Sequence, residues 1–155
     1  MFSDLDNLLS QRDKKILFVG IGNLLKSDDG VGVYISRKIK SKVNISSLSV
    51  EVSVENYIGK INSLNPDLLV LIDCMDLNSS PGTFKLFSLS ETQDLTFNTH
   101  NISLKSLSSF FSMPVLVLGI QPEKIGFGEN ISYLVKSIAD KIIKHINKLE
   151  VQNGR

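Results

Sequence analysis

Three stretches of strand length, residues 16–21, 68–72 and 114–120, contain no charged or hydrogen-bonding side chain. A strand with one face in water alternates apolar and polar residues. Unbroken runs instead call for cover on both faces, as in a parallel sheet clad by helices. The intervening segments supply that cover. Val31, Tyr34, Ile35, Lys38 and Ile39 recur at helical spacing, with the Lys38 stem flanking the apolar stripe. Residues 47–54 alternate Leu48, Val50, Val52 and Val54 with polar neighbours, the pattern of a half-exposed strand near a sheet edge. Residues 56–64 suit a short helix ending before Asn65-Pro66, and 103–111 suit another. Asn78-Ser79-Ser80-Pro81-Gly82 marks a turn, after which 83–87 resumes as a strand. Ile131, Leu134, Val135, Ile138, Ala139, Ile142, Ile146 and Leu149 define one face of a long amphipathic helix. The expected fold is a single α/β domain over 16–150, with a mostly parallel twisted sheet of about five strands and helices on both faces. A polar extension, 1–15, precedes it.

A chain of 155 residues has room for one such core. Its formal net charge of +1 gives no electrostatic case for binding nucleic acid or an anionic membrane surface. The single cysteine, Cys74, excludes an internal disulfide and any cysteine-cage metal site. No apolar run approaches the ~20 residues of a membrane span. Residues 1–15 have neither the composition of a signal peptide nor that of a transit peptide. A cytoplasmic monomer is expected.

The turn after a first strand is where α/β proteins place their chemistry. Here Gly20-Ile21-Gly22 is followed by Asp28-Asp29. Gly-x-Gly at this point suggests a phosphate cradle. Two carboxylates, however, repel a pyrophosphate by about 1 kcal/mol per close pair in water and by more in a sheltered cleft. Position 25, where the dinucleotide fingerprint wants a small residue, is leucine. The turn suits a cation better. Because the carboxyl ends of parallel strands line one crevice, Asp29, Glu55, Asp73 and Gln121 are expected to converge. His100, in the loop Asn98-Thr99-His100-Asn101, could reach the same rim. Asp28 reads as a cap for the following helix, which leaves Asp29 as the functional member of the pair. Asp73 closes an apolar run and needs solvent or a partner. Asp76 reads as a turn residue, Cys74 as a small buried hydrophobe. His145, among Lys141, Lys144 and Lys148, reads as a solvated surface residue. Two carboxylates and an imidazole suit nickel, zinc or another borderline divalent ion, with coordination positions left open.

Taken in order, Gly20-Ile21-Gly22-Asn23, Asp28-Asp29-Gly30-Val31-Gly32, Ile72-Asp73, Pro81-Gly82, Thr99-His100-Asn101 and Gly119-Ile120-Gln121-Pro122 resemble the hydrogenase maturation endopeptidases. The resemblance covers roughly residues 16–142. Glu55-Asn56, Thr99-His100-Asn101 and Gly119-Ile120-Gln121-Pro122 with Gly126-Phe127 are most similar to the branch serving formate-hydrogenlyase and energy-converting hydrogenases. The resemblance implies removal of a C-terminal extension from the precursor of a nickel–iron hydrogenase large subunit. It also implies that Asp29, Asp73 and His100 are the catalytic set that contacts nickel. The ion arrives in the substrate, so no tightly bound metal is expected in the free enzyme. Catalysis would then come from nickel polarising the scissile carbonyl or activating water, or from a carboxylate acting as general base. The family's second strand usually ends near Asp-Gly-Gly, whereas Glu51-Val52-Ser53-Val54-Glu55 stands here. Either glutamate could take that aspartate's role. Two other readings use the same features: a non-catalytic nickel chaperone with the same three ligands, and a nucleotide-binding module built on Gly20-x-Gly22.

Overall fold

The computed structural model describes residues 1–91 and 104–153. In chain order it contains α1 (Ser3–Leu9), β1 (Ile16–Ile21), α2 (Val31–Lys38), β2 (Ile45–Glu51), α3 (Ile58–Leu64), β3 (Leu68–Cys74), β4 (Phe84–Ser88), α4 (Leu104–Leu107), β5 (Val115–Ile120) and α5 (Tyr133–Asn153). The strands form one sheet in the order β2-β1-β3-β5-β4. All neighbours run parallel except β4, which pairs with β5 in the antiparallel sense. The three apolar runs occupy the middle of the sheet, and alternating β2 lies at an edge, as their patterns require.

The pleat divides each central strand between two cores. Ile16, Phe18, Val70, Ile72, Leu118 and Ile120 face one side, where Val31 and Ile35 of α2 and Val135, Ile138 and Ile142 of α5 cover them. Leu17, Val19, Leu69, Leu71 and Val117 face the other, against Ile61 of α3 and Leu107 of α4. No helix among the described residues is long and apolar enough to cross a membrane.

Residues 1–15 add to the first of these cores. Leu5, Leu8 and Leu9, at i, i+3 and i+4 of α1, are buried in it. The ring of Phe2 stacks on His145 at 4.0 Å, and His145 Nδ1 lies 2.9 Å from Asp6 Oδ1. His145 is therefore not the fully solvated residue its lysine neighbours suggest. The short leucine repeat of α1 covers this part of α5.

Across α2 and α5, the Tyr34 hydroxyl donates to Asp140 Oδ1 at 2.6 Å. Burial, then the hydrogen bond and the charge of Asp140, raise the Tyr34 pKa from 10.0 to about 12. The protonated phenol is thus the form that the folded state favours. Its contribution to stability is complete below pH 10 and is lost as pH rises through about 12. Titration of phenolate absorbance is expected to show Tyr34 ionising late, and Asp140→Asn is expected to bring its midpoint down. A midpoint unmoved by that substitution would refute the pairing.

Candidate active site

The carboxyl end of β1 leads into a tight turn that the sequence makes possible only with small residues. A Cβ on Gly22, which has φ +145°, would lie 2.0 Å from the Asp29 carbonyl oxygen. On Gly32 it would lie 2.2 Å from the Ile72 carbonyl oxygen and 2.5 Å from that of Ile21. The start of α2 is thereby pressed against the ends of β1 and β3. On Gly20 a Cβ would meet Ser36 Oγ at 2.2 Å and the Gly32 carbonyl oxygen at 2.3 Å. The glycines serve close approach of the chain to itself, and the space a phosphate cradle would use around Gly20 and Gly22 is filled by protein.

Between β1 and α2, Ser27–Gly30 forms one turn of 3-10 helix packed against β3. It carries Asp28 and Asp29, both with no solvent exposure. Asp29 Oδ2 accepts from the Asn23 N–H at 2.8 Å, which fixes the carboxylate beside the preceding loop. Asp73 is the penultimate residue of β3, opposite Gly119 of β5, and is also fully buried. Asp29 and Asp73 thus occupy the same end of the sheet, on neighbouring segments. His100 lies outside the described residues.

Other polar residues near this end brace the loops. Gln121 Oε1 accepts from the Leu77 N–H at 2.6 Å and holds the chain just beyond β3. Asp76 Oδ1 accepts from the Asn78 N–H at 2.9 Å, the turn role read from its position. Glu51 is exposed at the end of β2 with φ +55°, and its carbonyl accepts from the Gly22 N–H at 2.8 Å. Glu55 is half-buried in the 3-10 turn Val54–Tyr57.

Asp28 does not cap its own helix. Its Oδ2 accepts from the N–H groups of Glu123 (2.8 Å) and Lys124 (2.9 Å) and from Ser132 Oγ (2.7 Å), while Oδ1 accepts from the Ser132 N–H at 2.6 Å. The segment it grips, residues 121–132, runs from the end of β5 to α5 and straps over the turn. Ser27 joins the same contact. Its N–H donates to the Gly128 carbonyl and its Oγ to that of Gly126, both at 2.7 Å. Ser27 has φ +52°, an uncommon conformation for a residue with a Cβ, here held by those two bonds. No local pattern announces this arrangement, because the partners lie 95–104 positions apart. Phe127 of the strap and Leu25 of the loop after β1 expose 86% and 53% of their surface, an apolar rim to the turn.

Solved peptidases share this architecture. A NiFe hydrogenase maturation protease from Thermococcus kodakarensis KOD1 superposes with a TM-score of 0.81 at 25% identity, covering 94% of this chain and 97% of that one. A solution structure of an endopeptidase from Escherichia coli gives 0.73 at 25% identity, covering 88% and 91%. The class is accordingly that of a peptidase. A family model described as hydrogenase maturation protease matches residues 52–149. A provisionally named hydrogenase maturation protease of Methanocaldococcus jannaschii is 31% identical over 144 residues, covering 84% of this chain and 85% of the relative. The chain belongs to the hydrogenase maturation protease family.

Proposed function

We propose that this peptidase removes the C-terminal extension of a nickel–iron hydrogenase large-subunit precursor that already contains nickel, and that Asp29, Asp73 and His100 contact the ion. The observation that carries this reading is the placement of two fully buried carboxylates, Asp29 and Asp73, at one end of the sheet, on a turn and a strand that pack together. Oxygen donors there suit a divalent ion completed by an imidazole. The exposed rim of Leu25 and Phe127 is compatible with a protein substrate rather than a small molecule. Motif similarity supports a precursor of the formate-hydrogenlyase or energy-converting type.

In this reading the ion is part of the substrate. Its docking holds the scissile bond in one place beside the attacking water, so positioning supplies much of the rate and of the specificity. Either the docked ion polarises the reacting carbonyl or activates the water, or a site carboxylate removes the water's proton.

The test is mass spectrometry of nickel-loaded and nickel-free precursors after incubation with the protein. Loss of one defined C-terminal peptide from the loaded form alone is expected. Efficient trimming of the nickel-free form would remove metal recognition from the proposal. An intact loaded precursor, together with tight binding of free nickel by the protein, would favour a metal carrier instead.

A further inference from the structure

We propose that Asp28 is a positioning residue for precursor trimming: its carboxylate locks the strap, residues 121–132, onto the turn and so sets the position of Asp29. This inference rests on the proposed peptidase function. Burying a carboxylate costs several kcal/mol unless its lone pairs are satisfied. Asp28 meets that requirement with four donors, three of them backbone or hydroxyl groups converging on one oxygen. The strap answers with its own carbonyls. Lys124 accepts from the Asp28 N–H at 2.9 Å and Gly128 from the Ser27 N–H at 2.7 Å, while the Gly128 N–H donates to Leu25 at 2.9 Å.

Geometry makes this more than a structural tie. Asp28 and Asp29 are adjacent in a single helical turn. One side chain reaches the strap, and the other is held by the Asn23 N–H. A rotation of the turn that relieved a fault at Asp28 would therefore displace the Asp29 carboxylate. Productive placement tolerates little such movement.

Asp28→Asn keeps the shape but replaces one acceptor oxygen with an NH2 group facing N–H and O–H donors. With nickel-loaded precursor as substrate, kcat is expected to fall about 10–100-fold, the range seen when residues supporting a metal-contacting group are changed. KM should stay near that of the unmodified protein, and circular dichroism should show a folded chain. An unchanged kcat in the folded variant would overturn the proposal.

Should Asp28→Asn fail to fold, Ser132→Ala removes a single hydroxyl donor and leaves the carboxylate and backbone bonds in place. Its kcat should drop further than its folded fraction does; a kcat that merely follows the folded fraction would overturn the proposal. Asp29→Asn, measured alongside, separates the two levels. Full activity there defeats the functional reading and the positioning role with it. An inactive Asp29→Asn beside a fully active Asp28→Asn defeats the positioning role alone.

Discussion

Asp29→Asn and Asp73→Asn are each expected to slow trimming of a nickel-loaded precursor by about 100- to 10,000-fold, the span associated with losing a group that acts in proton transfer. Asparagine preserves size at two positions with no solvent exposure. The amide oxygen at position 29 can still accept from the Asn23 N–H, so the turn retains its local bond. What disappears is negative charge in a sheltered place, where it interacts most strongly with a cation. The measurement is single-turnover cleavage at saturating enzyme, with thermal melting to show that each variant is folded. Normal rates in both variants would refute the assignment of these carboxylates.

Gly32→Ala should lower stability more than either asparagine substitution. Alanine raises helix propensity by about 1 kcal/mol, which alone would stabilise α2. Against this, its methyl group would lie 2.2 Å and 2.5 Å from two strand carbonyl oxygens, neither of which can turn aside as a side chain could. Overpacking costs of order 1–3 kcal/mol where some relaxation is available. Here relief requires α2 to move off β1 and β3, so a net loss of about 3 kcal/mol is expected. For a domain of this size that corresponds to a fall in Tm of roughly 6–12 °C. An unchanged Tm would mean that the helix start is looser than these contacts require.

The middle of the fold was legible because its signals are local and redundant. The runs 16–21 and 68–72 state both the strand and its double-sided burial, and the alternation around Leu48 and Val50 places β2 at an edge. The location of Asp29 and Asp73 at one end of the sheet also follows from local reading, since each comes after an apolar run where a strand ends. Asp28 did not. A carboxylate before a helix reads as a cap, and nothing near position 28 reveals donors at Glu123, Lys124 and Ser132. For α1, the i, i+3, i+4 leucines were present in the sequence, but the acidic and basic residues around them gave the segment a polar average. His145 reads as solvated for a related reason: its own helix supplies lysines, while the groups that cover it, Phe2 and Asp6, come from the opposite end of the chain.

If Asp28 positions Asp29 as proposed, the sequence distance to its donors also sets when activity can arise during synthesis. A nascent polypeptide extended only to Cys74 already contains Asp29 and Asp73, but β3 still has an open edge where β5 must dock, and the carboxylate at 28 has nothing to hold. Contacts of such long sequence separation form late, after the entropy of closing the intervening loop has been overcome. With the proposed role of Asp28, the chain through Ser132 must therefore leave the ribosome before proteolytic competence can arise.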